Sequence, residues 1–306
     1  MKRVIRSIAT MMLAFIFVMT GVITASAYMS PEQTSATQNS VTVSWEAVPS
    51  AASYRVYYYP YGSPIDWNAY VPVNGGATSC TVPVSPGRNY QVEAVAYDAY
   101  GNAIDASDYK TPVCPAPGSI TTLKSIGWTT DGNYGDFKMS SDPYPDLQYS
   151  YEWQLRTRNG KTVKASGTSS HDSFRAKAPS NQVYKLWVRG YSYTSSTNKF
   201  YGPWYKKTIV PEPKLKQSRF VLGNRIRLSW RKVSGATKYV VYGSTSPNKG
   251  YKKIATVKKS KGTYVVSRVK GKKLKKNKYY YFKVQAVAGK VKSYNNTYLS
   301  CKIYSL

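Results

Sequence analysis

Apolar and polar residues alternate along most of the chain after residue 28, which predicts β-strands with one buried and one solvated face. Near the start, Val41, Val43 and Trp45 alternate with Thr42 and Ser44. No long stretch places apolar residues at helical spacing, and the 30 tyrosines and many β-branched residues favour strands. We therefore predict an all-β protein.

The pattern that begins at Trp45 occurs again 185 residues later. Both copies share six residue types at identical spacing, and self-similarity of this kind indicates repeated structural units. The copies read Trp45-x-x-Val48-x-x-Ala51-x-x-Tyr54-x-Val56-Tyr57 and Trp230-x-x-Val233-x-x-Ala236-x-x-Tyr239-x-Val241-Tyr242.

A later alternating segment occurs three times, and each time it begins with a tyrosine, at Tyr90, Tyr184 and Tyr280. Between these segments lie two Pro-rich stretches, residues 112–118 and 210–213, which cannot carry a regular sheet ladder because proline lacks the backbone donor. We predict three units of small-sandwich size, at residues 28–114, 115–210 and 211–306, joined by semi-rigid spacers.

These patterns resemble the fibronectin type III domain. The resemblance rests on the early Trp, on the Tyr-x-Val that follows, and on the corner Val84-x-Pro86-Gly87-x-x-Tyr90. It implies three tandem immunoglobulin-like Greek-key β-sandwiches of seven strands, with Trp45 and Trp230 packed between the sheets. The resemblance also implies that the three recurring tyrosines cap the turn into the sixth strand.

The middle unit departs from this pattern because it lacks the Trp, and we place Phe137 and Met139 there instead. The third unit resembles the Lys-rich tandem repeats of exported proteins of Gram-positive anaerobes. That likeness is carried by residues 235–239, 251–255 and 274–278.

The first 27 residues have the order of a secretory signal peptide. A basic start is followed by an apolar run from Ile8 to Val18, which is short for a membrane span, and by the small-x-small site Ala25-Ser26-Ala27. No Leu-Pro-x-Thr-Gly sorting signal follows. We expect an extracellular protein that is secreted or attached to the cell wall without a covalent link.

The net charge of +30 is distributed along a gradient. The three predicted units carry −4, +7 and +24, and no Asp or Glu follows Glu212. Such self-repulsion destabilises a compact state unless an anionic partner screens it. Lysine suits polymers recognised by charge density. The predicted partner is therefore teichoic acid, anionic polysaccharide or nucleic acid, and the alternative is a merely solubilising surface.

In the topology of the resembled family, two Lys-rich turns of the third unit lie at the end that carries the C-terminus. We predict that these lysines bind the polyanion, and that a weaker group, Lys258, Lys259 and Lys261, lies at the opposite end. The predicted binding residues are Lys249, Lys252, Lys253, Lys270, Lys272, Lys273, Lys275, Lys276 and Lys278.

A second possible contact surface is aromatic. If Val56 faces inward, alternation places Tyr57 and Tyr59 on the outer face, and Tyr61 and Trp67 follow in the next loop. Exposed rings of this kind are enriched in interfaces, although aromatic pairs also stabilise sheets without binding anything.

Catalytic chemistry has little support in the sequence. His171 is the only histidine, so the usual zinc cages are excluded. Asp142 and Asp146 flank a Pro-rich turn, and Asp131 with Asp136 lacks the spacing of a calcium loop. We predict no enzyme activity, no cofactor and no metal.

The three cysteines are isolated from one another in sequence. Cys80 and Cys301 alternate with apolar residues and are predicted to face the interior, whereas Cys114 lies in the first linker and could pair with a second chain.

The leading hypothesis from the sequence is a non-enzymatic binding and spacer protein of the cell surface. The alternatives are a protein–protein adhesion module that uses the aromatic residues of the first unit, and a binder of extracellular nucleic acid. The fold resemblance cannot choose among them, because one scaffold hosts many functions.

Overall fold

The computed structural model describes residues 29–107, 110–129, 131–141, 149–195, 197–216, 219–221 and 223–303. The predicted signal peptide and the carboxylates of Asp142 and Asp146 lie outside these residues. The regular secondary structure of these residues consists of β-strands alone, as the alternation predicts. Within the same ranges, no helix is of the length and apolar character that a membrane crossing requires.

The described residues form twenty-six strands, which are divided among the three predicted units. The first unit contains β1 (Glu32–Ala36), β2 (Ser40–Ser44), β3 (Ser53–Pro60), β4 (Tyr70–Asn74), β5 (Ser79–Pro83), β6 (Tyr90–Tyr97), β7 (Ala103–Ala106) and β8 (Thr111–Val113). The second contains β9 (Ile120–Trp128), β10 (Tyr134–Ser141), β11 (Tyr149–Thr157), β12 (Val163–Ser169), β13 (Ser173–Lys177), β14 (Tyr184–Tyr193), β15 (Lys199–Tyr201) and β16 (Tyr205–Ile209). The third contains β17 (Arg219–Val221), β18 (Arg225–Ser229), β19 (Lys238–Ser244), β20 (Lys252–Lys258), β21 (Thr263–Val266), β22 (Arg268–Val269), β23 (Lys272–Lys273), β24 (Tyr279–Ala288), β25 (Val291–Lys292) and β26 (Leu299–Lys302).

The same pair of antiparallel sheets forms three times. The small sheets have the orders β1-β2-β5, β13-β10-β9 and β17-β18-β21. The large sheets have the orders β4-β3-β6-β7, β12-β11-β14-β15 and β20-β19-β24-β25, and β8, β16 and β26 pair with the central strands β6, β14 and β24. The first, second and fifth strands therefore oppose the third, fourth, sixth and a divided seventh, which is the fibronectin type III arrangement and confirms the predicted fold class.

The repeated Trp-to-Tyr motif folds in the same way in both copies. The rings of Trp45 and Tyr54 lie 5.3 Å apart at 61°, and those of Trp230 and Tyr239 lie 5.4 Å apart at 60°. In each copy the tyrosine hydroxyl accepts a hydrogen bond from the backbone N–H of the motif valine, at 2.9 Å and 2.8 Å. The spacing is therefore fixed by one ring contact and one capped backbone donor, and both Trp residues are buried as predicted.

The recurring tyrosines at the start of β6, β14 and β24 are all buried. The Tyr184 hydroxyl donates to the Pro179 carbonyl at 2.8 Å, and the Tyr280 hydroxyl accepts from the Lys275 backbone N–H at 2.9 Å. In the second and third units the corner role implied by the resemblance is confirmed, because these hydroxyls pair with the backbone of the preceding turn.

The middle unit builds its core without a Trp on its second strand. Phe137 and Met139 on β10 are fully buried, as predicted. Phe174 stacks between Phe137 and Trp153, with ring centroids 5.3 Å and 4.8 Å away. A stack of three rings on β10, β11 and β13 thus forms part of the core of this sandwich.

The chain divides into two compact parts, which differ from the three predicted domains. One part contains residues 29–34, 42–82 and 90–112, and the other contains residues 35–41, 83–89 and 113–303. The second and third predicted domains therefore belong to the same compact part. Val183 and Val210 lie in the core of the third sandwich, and the Val183 N–H donates to the Ser234 carbonyl at 2.8 Å. The boundary at residue 211 remains a prediction.

Candidate polyanion-binding surface

The nine predicted binding lysines, here called the far-end lysines, are all exposed. Lys249 lies in the turn between β19 and β20, and Lys252 and Lys253 open β20. The remaining six follow β22 and extend to the start of β24. The turns therefore lie between the strands that the sequence predicts.

The β22–β23 hairpin presents its lysines because apolar residues anchor it on both sides. Val269 and Leu274 are buried in the core of the third sandwich. Between them, Lys270 and Gly271 both have positive φ, of 53° and 77°. Two left-handed residues in succession match the right-handed twist of a tight hairpin. The intervening lysines consequently point away from the core.

Two contacts show that these turns share one end of the sandwich. Gly250 lies in the first Lys-rich turn and Lys270 in the second. A Cβ placed on Gly250 would lie 2.9 Å from Lys270 Nζ, so the two turns touch. The backbone N–H of Asn277 donates to the Ile303 carbonyl at 2.7 Å, which joins the second turn to the last described residue. The two Lys-rich turns thus meet, and the second of them lies beside the C-terminal strand β26.

Almost nothing neutralises this charge within the third domain. The ion pairs among the described residues, Lys138–Asp172, Arg175–Asp136 and Arg189–Glu152, all lie in the second domain. Glu212 is the only acidic side chain from residue 211 onward. Its Oε1 accepts the Thr297 backbone N–H at 2.9 Å, and burial raises the pKa of its carboxyl.

The raised pKa of Glu212 predicts a pH-dependent stability. A carboxyl whose pKa is higher in the folded chain favours folding when protonated and opposes it when ionised. Glu212→Gln keeps the acceptor for Thr297 but removes the buried charge. We expect the variant to melt at a higher temperature than the parent at about pH 7, and the difference to vanish below the ordinary glutamate pKa of about 4.3.

The control for this prediction is Glu46→Gln, because Glu46 is exposed in the first domain. It should leave the melting temperature nearly unchanged at both pH values. A Glu212→Gln variant that is less stable than the parent at about pH 7 would show that ionised Glu212 stabilises the fold.

The opposite end of the third sandwich contains more basic side chains than the three lysines that the sequence predicts there. Lys258, Lys259 and Lys261 lie at the β20–β21 turn as predicted. Lys238 pairs with Lys258 across the sheet. An open groove beside this turn is lined by Lys216, Arg231 and Lys232, among others. Sequence reasoning missed these residues because they are separated in the chain and are gathered only by strand pairing.

The prediction that Tyr57 and Tyr59 are exposed is wrong, because they are only 3% and 2% accessible. Val56 is buried in the core, so Tyr57 does lie on the outer face of β3. Neighbouring side chains cover it there. The Trp67 and Tyr70 rings lie 5.0 Å and 5.5 Å from its ring, and its hydroxyl is 3.1 Å from that of Tyr97.

The other two predicted aromatic residues of the first domain are exposed. Tyr61 is 64% accessible and Trp67 is 57% accessible. The buried Tyr59, in contrast, has Lys110 Nζ 5.6 Å from its ring centroid, and burial raises the pKa of its hydroxyl. Of the four aromatic residues predicted to form a contact surface, only Tyr61 and Trp67, in the loop that follows β3, are therefore available for contact.

A row of stacked cations and aromatic rings covers the outer face of the large sheet in the second domain. The Arg156 guanidinium and Lys206 Nζ each lie 4.2 Å from the Trp187 ring centroid. The Arg189 guanidinium lies 3.7 Å from the Tyr201 ring and 4.4 Å from the Trp204 ring.

Sequence reasoning missed this row, although β14 contains a signal for it. Lys185, Trp187, Arg189 and Tyr191 occupy every second position of the strand, between the apolar residues that face the core. Stacked cation–π pairs of this kind stabilise a sheet face. Arg189 also forms an ion pair with Glu152 at 2.7 Å, so the charge of its guanidinium is compensated within the sheet.

The residues considered for catalysis or metal binding have other partners. His171 is exposed, and its Nδ1 lies 3.1 Å from Ser170 Oγ. Both Asp131 oxygens accept hydrogen bonds from Asn133, and the Asp136 carboxylate pairs with Arg175. Among the described residues, no three His, Cys, Asp or Glu side chains are grouped so as to hold a metal ion.

None of the three cysteines, all of which lie within the described residues, is joined to another in a disulfide. Cys301 is buried as predicted, whereas Cys80 is only partly buried, and burial raises the pKa of its thiol to about 11. Cys114 lies in the linker but is buried beside Ala116 and Phe200, and burial raises its thiol pKa. A buried, protonated thiol does not favour pairing with a second chain.

No protein-family model and no curated protein matches the chain. Among solved structures, the chain is similar to the FN1–FN3 domains of chicken CNTN1, with a TM-score of 0.26 and 13% identity over 91% of this chain and 99% of that chain. It is also similar to a segment of two fibronectin type III domains from chicken tenascin, with a TM-score of 0.31 and 14% identity over 59% of this chain and 97% of that chain. At these TM-scores neither likeness carries an argument about function, and the fibronectin type III-like fold rests on the strand pairing described above.

Proposed function

We propose that this chain is a non-enzymatic binding and spacer protein of the cell surface, whose third domain docks on an anionic polymer of the envelope. The observation that carries the proposal is the set of nine exposed far-end lysines, gathered at one end of a domain that contains a single acidic side chain. Uncompensated charge of one sign raises the local concentration of counter-charged polymers and favours their binding.

The chemistry of this end favours a polymer over a small ligand. The segment from Arg268 to Lys276 contains five lysines, and their flexible ammonium groups do not form a fixed fork around one anion. A string of phosphate or carboxylate groups can engage several of them at once. Teichoic acid or an anionic wall polysaccharide fits this pattern, and the protein would then be exported and held on the wall without a covalent link.

The proposal is tested by binding of the full chain to isolated Gram-positive cell walls at several salt concentrations. For polyanion contacts, the logarithm of the affinity falls linearly with the logarithm of salt concentration, with a slope set by the number of contacts. We expect elution by salt. Binding that does not change with ionic strength would contradict the proposal.

Substitution of four far-end lysines tests the location of the site. The variant Lys272→Gln, Lys273→Gln, Lys275→Gln and Lys276→Gln should lower the affinity for the walls on the order of a hundredfold at physiological salt and should reduce the salt slope. The control variant carries Lys124→Gln, Lys161→Gln, Lys164→Gln and Lys177→Gln, four exposed lysines of the second domain.

Both variants lose the same net charge, so only the position of the charge differs between them. Equal weakening by the two variants would show that total charge, and not the far end, governs binding. The full chain is required for both, because Val183 and Val210 belong to the core of the third sandwich.

Two alternatives are outcomes of the same experiments. An extracellular nucleic-acid binder would be displaced from walls by low concentrations of DNA. An adhesion module would use Tyr61 and Trp67, which remain exposed in the first domain. It would keep its partner at high salt, and the loss would follow Trp67→Ala instead of the lysine substitutions.

A further inference from the structure

The end of the third sandwich opposite the far-end lysines contains a groove of about 690 Å³. Three of the described residues that line it are cationic, two carry hydroxyls, and none of them carries a carboxylate. The seven lining residues are Lys216, Ser229, Trp230, Arg231, Lys232, Gly262 and Thr263, all of them from the third domain.

The groove is built by paired backbone segments, so the backbone positions of its cationic residues are fixed by the fold. The Lys216 N–H donates to the Ser229 carbonyl at 2.8 Å, and the Arg231 N–H donates to the Lys214 carbonyl at 2.9 Å. The Trp230 N–H donates to the Gly262 carbonyl at 2.9 Å. These bonds bring residues 214–216, the end of β18 and the β20–β21 turn to one place.

Gly262 is needed for this close approach. A Cβ at this position would lie 3.0 Å from the Trp230 carbonyl oxygen and 3.3 Å from Lys232 Cγ. A side chain here would therefore crowd the backbone of Trp230 and the side chain of Lys232, two residues that line the groove.

The three cations of the groove are exposed and have no ion-pair partner among the described side chains. Arg231 adds a planar fork that binds phosphate or carboxylate with two parallel hydrogen bonds. The Ser229 and Thr263 hydroxyls can donate to the same anion. The groove thus has the composition of an anion site in its own right.

The groove and the far-end lysines are electrostatically independent. They lie at opposite ends of β20, whose seven residues extend about 20 Å at 3.3 Å per residue. The Debye length at physiological ionic strength is about 8 Å. One short anion therefore cannot serve both ends, and binding at one end scarcely affects the other.

We propose that this groove is a second anion-binding site and that the third domain thereby bridges two segments of anionic polymer, one at each end. The inference rests on the proposed function, since it takes the same class of ligand, a polymer of phosphate or carboxylate groups. Two independent sites on one domain convert binding into cross-linking, because each bound polymer carries many further sites for other copies.

The test uses the full chain and linear inorganic polyphosphate of two lengths. A short polyphosphate of about five units spans less than the 20 Å or so between the ends and reports the number of sites by calorimetry. A long polyphosphate reports cross-linking by light scattering. We expect two short oligomers per chain and a strong rise in scattering with the long polymer.

Two matched variants separate the ends. The groove variant carries Lys216→Gln, Arg231→Gln and Lys232→Gln, and the far-end variant carries Lys272→Gln, Lys273→Gln and Lys275→Gln. Each should bind one short oligomer per chain, should still bind the long polymer at low salt, and should lose the rise in scattering. If circular dichroism shows that the groove variant does not fold, Lys232→Glu places a carboxylate in the groove and should give the same result.

The outcomes distinguish this inference from the proposed function. A groove variant that still binds two short oligomers overturns the bridging inference and leaves the far-end site intact. A parent chain that binds one short oligomer and does not scatter does the same when the far-end variant, but not the groove variant, loses that oligomer. A parent chain that binds neither polyphosphate overturns both.

Discussion

Replacing Trp230 with alanine is expected to destabilise the third sandwich by about 3–5 kcal/mol, the usual cost of deleting a large buried aromatic side chain. The indole is 3% accessible and belongs to the core that includes Ile226, Leu228 and Val257. Its removal also takes away the ring contact with Tyr239, whose hydroxyl caps the Val233 N–H. The substitution therefore opens a cavity beside a polar contact on which the motif depends.

The measurement is hydrogen exchange of the amides in β18, β19 and β24 of the full chain. Since about 1.4 kcal/mol corresponds to a factor of ten, protection there should fall by about 10²–10⁴-fold. The control is Trp67→Ala, because Trp67 is 57% accessible. Unchanged protection in the Trp230 variant would show that the indole does not hold the two sheets together.

Replacing Gly75 with alanine is expected to destabilise the first sandwich by about 3 kcal/mol, at the upper end of the cost of overpacking. A Cβ at Gly75 would lie 2.1 Å from the Ala51 carbonyl oxygen and 2.7 Å from the Ala52 carbonyl carbon. Both are backbone atoms, and the Gly75 N–H donates to the Ala52 carbonyl at 3.0 Å, so this region cannot move aside without breaking that bond.

The adjacent glycine provides a matched control. A Cβ at Gly76 would meet no atom within 4 Å, so Gly76→Ala should leave the stability nearly unchanged. Both variants add one methyl group at neighbouring positions, and thermal unfolding followed by circular dichroism compares them directly. Equal melting temperatures for the two variants would contradict the close approach at Gly75.

The fold was predictable because its key residues sit at fixed spacings. Trp45 and Tyr54 recur as Trp230 and Tyr239, and each pair makes the same ring contact and the same capped N–H. Period-two alternation then identified the inward residues, even where Phe137 stands in place of a Trp. Burial is read easily from sequence when the covering element is the opposite sheet.

The outer faces were not predictable in the same way. Alternation correctly placed Tyr57 opposite the core side of β3, but it could not reveal that Trp67, Tyr70 and Tyr97 cover its ring. These partners come from three other places in the chain. Whether an outward ring is exposed depends on cross-strand neighbours, and their register was not known from the sequence.

Clusters of basic side chains were also predictable only in part. Lysines that follow one another, such as Lys272 and Lys273, could be assigned to a turn and hence to one end. Lys216 and Arg231 are 15 residues apart, and they share a groove because Lys216 pairs with Ser229. Charge clusters made by consecutive residues are visible in a sequence, whereas those made by strand pairing are not.

The valines that the second sandwich and the linker contribute to the third sandwich bear on how this architecture can be inherited. A gene segment that encodes only residues after 211 would omit Val183 and Val210. The apolar core residues of the third sandwich that these valines cover would then be exposed to solvent. A gene segment that is to encode the complete core of the third sandwich must therefore begin before Val183.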